Sequence, residues 1–260
     1  MARVGGNTSC VAVEAPGQPP ILLDLGTGSR YFGLARTGTG ERFHGHCLVS
    51  HYHWDHIQGL PFFPPLLRAG SLLELHGPVP EHGTSIGAVL DSILQPPLFP
   101  VGVTDLPGEV RYHEHGDDSF TIGEVRVTTR LIPHIGRTLG FRLDGDGWSV
   151  AYLSDHQQPG VGVFEATAGA LELCAGADLV IHDAQYTSDE FTAKADWGHC
   201  TIDYAVWLAA ETGARRVALY HHDPLHDDDM LDSVAERYAH CRSGLEVIVA
   251  REGLAVRLGA

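Results

Sequence analysis

Lysine is almost absent: Lys194 is the only one among 17 basic residues, set against 33 acidic ones, for a formal net charge of −16. Long nucleic acids are held by clusters of Lys and Arg that neutralise phosphates. Here the only adjacent basic pair is Arg215-Arg216, so a long duplex or a large RNA is not an expected partner. No apolar run approaches the length of a membrane span. The first residues, Met1-Ala2-Arg3-Val4-Gly5-Gly6, lack the apolar core of a signal peptide, which makes the cytoplasm the expected location. The five cysteines (Cys10, Cys47, Cys174, Cys200, Cys241) are scattered and form no CxxC, which argues against a disulfide framework and against a Cys-based zinc site. No linker-like tract, repeat or low-complexity segment interrupts the chain, and a single domain over residues 1–260 is expected.

Histidine is abundant, with 17 residues. Three of them fall with one carboxylate in His51-Tyr52-His53-Trp54-Asp55-His56. Imidazole suits zinc, copper, iron and nickel, and carboxylate adds a harder oxygen donor. The preceding Cys47-Leu48-Val49-Ser50 reads as the end of a buried strand. Alternation in the extended chain beyond it predicts His51, His53 and Asp55 on one side and His56 off that phase, an arrangement able to feed two neighbouring ions.

A hydrophobic fraction of 43% with 31 Gly and 15 Pro suits a loop-rich α/β or α+β protein. Strands are predicted at 10–14 and 21–25, paired across a Pro-Gly turn, then at 46–50, 72–76, 109–113, 119–122 and 124–131. Residues 141–143 and 148–153 pair across Asp144-Gly-Asp-Gly147, a hairpin signal. Helices are predicted at 56–69 (broken near Pro61), 84–94, 163–175, 201–212 and 227–241. Further strands fall at 178–182, 216–220, 244–249 and 253–257. Two sheets with helices outside are implied.

Three more candidate ligands follow apolar strands: His134, Asp155 and His221, with His222 as the rival to His221. Strand ends are held rigidly by the scaffold and are natural places for such groups. His44 and His46 read as structural and His113 and His115 as surface-loop residues. His156 is open to either reading, and His226 belongs with an exposed acidic helix start.

This order of ligands, His-x-His-x-Asp-His, a lone His, a lone Asp and a late His, resembles the metallo-β-lactamase fold. More narrowly, it is similar to the phosphodiesterase branch typified by ribonuclease Z and the phosphoribosyl cyclic phosphodiesterases. His134-Ile-Gly-Arg-Thr-Leu-Gly140-Phe141-Arg142 resembles that branch's His-x5-Gly-Tyr-Arg segment, Gly198-His199-Cys200-Thr201 its Gly-His-Ser-Thr, and Leu219-Tyr-His221 its Leu-Thr-His. Gly5-Gly-Asn-Thr-Ser9 and Asp24-Leu-Gly-Thr-Gly28 also fit its bacterial members. The resemblance implies a four-layer αββα sandwich. By matching, His51, His53 and His134 would hold one divalent ion and Asp55, His56 and His221 a second, with Asp155 bridging. Zinc is the leading ion; manganese or iron suits the same ligands. A homodimer is compatible with the resemblance.

Such a metal pair would supply a bridging hydroxide at neutral pH and stabilise charge on the attacked and leaving oxygens. Asp55, His199 and Asp183 are the catalytic candidates. His199, near a helix N-terminus, would bind a phosphoryl oxygen or protonate the leaving group, with Asp183 orienting it; the plainer reading is that His199 only caps the helix. Arg137, Thr138, Trp54 and Trp197 are candidate substrate contacts, and Asp24 supports a ligand from behind. Cys200 replaces the serine of the family segment. The short stretch between His134 and Asp155 leaves no room for the tRNA-gripping arm that ribonuclease Z carries there, and the family's usual first strand is missing. The expected function is hydrolysis of a small phosphodiester, a cyclic nucleotide or cyclic sugar phosphate. The alternatives are a lactone, thioester or β-lactam hydrolase, and a metal-binding scaffold without catalysis.

Overall fold

Short runs rich in Val, Ile and Leu, punctuated by Gly and Pro, close into two sheets. The structure is a computed structural model and describes residues 3–37, 41–239 and 244–259. The chain folds as two compact units: Asn7–Gly116 with Ile122–Glu124, and Val125–Ala260 with Asp117–Thr121 and Met1–Gly6. None of the described helices is long and apolar enough to cross a membrane.

The first unit is built on a five-stranded sheet. Its strands are β1 (Val11–Val13), β2 (Ile21–Leu23), β3 (His44–Leu48), β4 (Leu72–Pro78) and β5 (Glu109–His115), in that spatial order. β1 and β2 pair antiparallel, with Val11 opposite Leu23, as the turn between them suggests; the remaining pairs are parallel. Alternation sends Cys47, Leu73 and Leu75 into one apolar cluster with Leu22, Phe63, Leu66, Ile86 and Leu90. Burying one such leucine stabilises by about 1.5–3 kcal/mol. The covering segments are α1 (Ser29–Thr37), α2 (Trp54–Ile57), α3 (Ile86–Ile93) and short 3-10 turns at Leu60–Phe62 and Pro64–Leu67. The prolines at 61, 64 and 65 explain the turns: a proline starts a helical turn well but cannot donate within one. The helix expected over 56–69 is therefore three separate pieces.

The second unit is built on a seven-stranded sheet. β6 (Asp118–Ile122), β7 (Val125–Ile132), β8 (Thr138–Gly145), β9 (Trp148–Leu153), β10 (Leu179–Asp183), β11 (Arg216–Tyr220) and β12 (Glu246–Val249) lie in the order β12-β11-β10-β9-β8-β7-β6. The β8–β9 hairpin turns at Asp146-Gly147, where Gly147 takes φ 74°, the left-handed conformation that a tight hairpin turn needs. β9 through β12 run parallel. β10 is buried at every residue: the apolar Leu179-Val180-Ile181 fits a strand covered on both faces, and His182 and Asp183 are buried polar groups at its end. α4 (Ala168–Cys174), α5 (Ser188–Lys194), α6 (Ile202–Glu211) and α7 (Asp228–Tyr238) complete the unit. Leu173, Ala205, Leu208, Ala209 and Val234 pack with Ala151, Leu153, Val180, Val217 and Leu219 from the strands.

The structure departs from the expected elements in several further places, the first being α1 (Ser29–Thr37), where no helix was expected. α5 was not expected, because Ser188–Lys194 has a single buried residue, Phe191. Its signal was nonetheless present: Thr187 and Glu190 form a capping box. Residues 253–257 form no strand, since alternation does not reveal whether a sheet edge is available to them. α7 ends at Tyr238, and the last residues of the expected 227–241 helix lie outside the described residues. β5 runs to His115, two residues past the expected strand end, so that His113 and His115, read as surface-loop residues, both lie on it.

Candidate metal centre

In the five-stranded unit the ligand motif begins as β3 ends. β3 stops at Leu48, and the chain runs extended only as far as His53, which is the N-cap of α2 with φ −65° and ψ 151°. Asp55 and His56 are therefore placed by a helical turn, and strand alternation does not reach them. His51 Nε2 stands 2.9 Å from His53 Nδ1, and the rings of His51 and His56 are 4.2 Å apart. His56 Nε2 faces Asp55 Oδ2 at 3.2 Å.

Behind these groups sits Asp24, fully buried and in a left-handed backbone conformation at φ 61°. Oδ2 of Asp24 accepts from His56 Nδ1 (2.7 Å) and from Ser50 Oγ (2.9 Å), and Oδ1 accepts from Ser50 N (2.6 Å). With its proton committed to Asp24, Ser50 Oγ accepts from His51 Nδ1 at 2.9 Å. Both imidazoles thus donate through Nδ1 and present Nε2, the arrangement by which an outer carboxylate fixes the tautomer of a metal-binding histidine. Ser50 was not singled out in the sequence. It could have been, as the polar residue between a buried strand and the first histidine.

In the seven-stranded unit the groups come from the ends of β7, β9, β10 and β11. Asp155 is 2% exposed. Its Oδ2 lies 3.6 Å from His134 Nε2 and its Oδ1 3.5 Å from His221 Nε2. These distances are long for charge-assisted hydrogen bonds. They suit neighbouring ligands of one ion, since zinc ligands at about 2.0–2.2 Å in a tetrahedron stand roughly 3.4 Å apart. A buried carboxylate with a different imidazole at each oxygen thus has the donor chemistry of a shared metal ligand. His134 Nδ1 donates to the Gly198 carbonyl at 2.6 Å, leaving Nε2 toward Asp155. Gly198 is required for this approach. It takes φ 93°, and a Cβ there would lie 2.5 Å from His134 Nδ1.

His221 adopts φ 53°, a left-handed turn directly after β11. Such strain in a non-glycine residue persists where surrounding structure imposes it. The turn aims His221 at Asp155, whereas His222 Nε2 donates to the Ala250 carbonyl at 3.1 Å, with its pKa pushed down to about 4 mainly by burial.

His199 Nδ1 donates to Asp183 Oδ2 at 2.8 Å. Asp183 is fully buried and also accepts from His156 N (3.1 Å) and Gln185 N (3.0 Å). His199 precedes α6 without capping it: the N-cap is Thr201, whose side chain accepts from Tyr204 N. The ring of His199 stacks on His221 at 5.1 Å, and Asp155, His199 and His221 bring ligand atoms within 4.8 Å of one another. Gln157 and Gln158, also missed, hold this segment: Gln157 Oε1 accepts from Gly198 N, and Gln158 Oε1 from Thr201 N and Oγ1.

Trp54 and Trp197 are 65% and 56% exposed. Arg137 is exposed, but Thr138 is buried at the first residue of β8, a place that does not suit a substrate contact. Cys200 is buried, its thiol donates to the Asp183 carbonyl at 3.0 Å, and burial holds its pKa well above the ordinary value. His156, next to Asp155 in the chain, is buried with its Nδ1 against His182 Nε2 at 2.9 Å, and burial holds its pKa well below the ordinary value. His226, expected at an exposed helix start, is buried and its Nε2 donates to Glu190 at 3.0 Å; the helix start is capped by Asp227 instead.

Residues 41–222 match the Beta-lactamase superfamily domain. A ribonuclease Z from Natronomonas pharaonis is 25% identical over 287 residues, covering 95% of this chain and 91% of that protein. Among solved structures, the metallo-beta-lactamase fold protein YhfI from Bacillus subtilis is similar with a TM-score of 0.69 at 19% identity, covering 95% of this chain and 90% of its own. Human tRNase Z, short form, is similar with a TM-score of 0.67 at 19% identity, covering 97% and 93%.

Proposed function

The chain belongs to the beta-lactamase superfamily, and from that premise we propose that it is a metal-dependent hydrolase of a small phosphodiester, a cyclic nucleotide or cyclic sugar phosphate. The observation that carries this reading is buried Asp155, with an imidazole at ligand spacing from each of its oxygens. The two units are read as one hydrolase domain of 1–260, acting in the cytoplasm. His51, His53 and His134 are assigned to one ion, Asp55, His56 and His221 to another, and Asp155 to both, following the family's ligand order. Zinc fits this donor set best, and manganese or iron fits it too. The chemistry supplied by a bound metal pair is nucleophile activation at neutral pH and neutralisation of charge on the phosphoryl oxygens.

The chain's own residues supply orientation and a proton. Asp24 and Ser50 hold His56 and His51 with Nε2 forward. Asp183 fixes His199 with Nδ1 occupied, so that Nε2 is the atom that meets the substrate. A proton held at that Nε2 passes to the leaving oxygen as the ester bond breaks, which is general acid catalysis. Exposed Trp54, Trp197 and Arg137 are read as substrate contacts.

A phosphodiester agrees with the name of the ribonuclease Z relative. Two observations favour a small one over RNA. The residues between His134 and Asp155 are taken up by β8 and β9 inside the sheet, with a two-residue turn, and form no projecting arm. The net charge of −16 also opposes a long polyanion. Acyl substrates such as lactones, thioesters or β-lactams remain the rival, because they need the metals but not the Asp183–His199 pair. The test is hydrolysis of bis(p-nitrophenyl) phosphate and of cyclic nucleotides with added zinc or manganese. A protein that binds two ions yet cleaves no diester with either metal would sink this reading.

A further inference from the structure

The five-stranded sheet carries a second concentration of imidazoles, which the candidate centre does not use. His46 on β3, Glu74 and His76 on β4, and His113 and His115 on β5 share one face. In register, His46 stands opposite Glu74 and His76 opposite His113. Intervening Cys47, Leu73 and Leu75 point into the apolar cluster on the other face. His76 is the hub. Its Nε2 lies 3.2 Å from His46 Nδ1, and its Nδ1 lies 3.0 Å from His115 Nε2. Its ring stacks on His113 at 4.5 Å, and His113 Nε2 is 2.8 Å from Glu74 Oε2.

We propose that His46, Glu74, His76 and His113 form a separate binding site for one divalent transition-metal ion of the zinc, nickel or copper(II) kind. The chemistry is that of borderline-soft nitrogen donors with one carboxylate. His46 Nδ1 and His76 Nε2 already stand at about the spacing of adjacent ligands on a zinc ion. His115 acts from behind: accepting the Nδ1 proton of His76 fixes the tautomer that turns Nε2 toward the ion. As the side chains stand, Glu74 and His113 pair with each other at 2.8 Å; completing the set would require both to rotate toward the ion, and His113, with its side chain 44% exposed, marks the way in. Ionisation states agree. Burial brings the pKa of His76 down to about 3 and lowers that of His46, so both are neutral donors at pH 7. Burial works against the Glu74 carboxylate, but the hydrogen bond from His113 together with the nearby charges of His113, Arg111 and His46 outweighs it and lowers its pKa. Strands β3, β4 and β5 are locked in parallel register, so the backbone carrying the donors is rigid before any ion arrives.

The site does not depend on the proposed hydrolase activity, and a difference measurement separates them. Zinc per chain is determined by elemental analysis after zinc loading and dialysis, for wild type, His46→Phe and His113→Phe. Phenylalanine keeps a ring beside His76 and removes the nitrogens. Each variant is expected to hold one zinc fewer than wild type, whatever number the other centre retains, with unchanged circular dichroism and unchanged diester hydrolysis. With copper(II), the imidazole nitrogen hyperfine pattern of this site should vanish from the electron paramagnetic resonance spectrum of both variants. Should His46→Phe fail to fold, half-exposed His113→Phe decides alone. Equal zinc content in wild type and folded His113→Phe would overturn the proposal and leave these residues as a hydrogen-bonded ladder.

Discussion

Replacing Asp183 by Asn tests the proposed proton donor most directly. The two oxygens of Asp183 accept three N–H groups: His199 Nδ1 and His156 N at Oδ2, and Gln185 N at Oδ1. Asparagine has one acceptor oxygen. In one flip its amide nitrogen confronts Gln185 N–H; in the other it confronts both donors at Oδ2. The site is fully buried, so no water relieves either clash. A buried donor left unsatisfied costs about 1–3 kcal/mol, and that is the expected loss of folding stability. Catalysis loses the charge-assisted bond to His199, worth about 1.5–3 kcal/mol. At about 1.4 kcal/mol per tenfold, kcat should fall roughly 10- to 150-fold. KM should barely change, since the bond matters most as the proton moves. The assay is steady-state hydrolysis of bis(p-nitrophenyl) phosphate, with metal content measured on the same sample and a urea titration for stability. A kcat within twofold of wild type at full metal content would refute the role given to Asp183 and His199. Loss of metal instead would make Asp183 a support of the ligands.

Three further outcomes follow from the same contacts. Asp155→Ala should lose the zinc held at the candidate centre, keeping at most the ion of the separate β3–β5 site, and should shrink the rise in melting temperature that zinc gives the wild type; a ligand at 1,000 times its Kd stabilises by about 4 kcal/mol. An equal zinc-induced shift in the variant would remove Asp155 from the ligand set. Thr201→Ala should cost about 1–2 kcal/mol in chemical denaturation, because Thr201 caps α6 through Tyr204 N and is tied to Gln158, and a change below a few tenths would contradict that. Buried His182 has its pKa lowered in the fold, chiefly by burial. It therefore adds stability above its unfolded pKa of about 6.5 and loses it as pH falls below that value, at up to about 1.4 kcal/mol per pH unit. Urea midpoints of chelated protein between pH 7.5 and 5 should fall less steeply in His182→Gln; parallel slopes would rule this out.

Much of the architecture was legible because it is local. β11 lies at Arg216–Tyr220, as its apolar run suggested, and the β8–β9 hairpin closes at the Gly147 turn. α5 was missed because its one buried residue leaves no periodic signal, although its capping box was there to be read. The extended reading of the His51–His56 segment held only to His53, because a helical turn begins at Trp54 and re-aims Asp55 and His56. Thr138 looked available beside Arg137, but it is the first residue of β8 and faces inward. His46, His76 and His113 are far apart in the chain, and His76 drew no reading in the sequence; parallel register makes them neighbours.

From the sequence by itself came the residue types, their order and the strands that carry them. A period of two along a strand and a ligand motif of six residues are both properties of adjacent residues, so they survive without a fold. The pairing of those groups is a different kind of fact. His221 is chosen over His222 by one left-handed turn at φ 53°, Asp183 meets His199 because β10 ends beside the segment before α6, and Asp24 reaches His56 by a bend at φ 61° after β2. Each depends on a backbone conformation or a strand register that burial of the surrounding core imposes. Only the tertiary structure decides these, because hydrogen bonds of this kind form within about 3 Å, and that distance is set by packing across strands, not by separation along the chain.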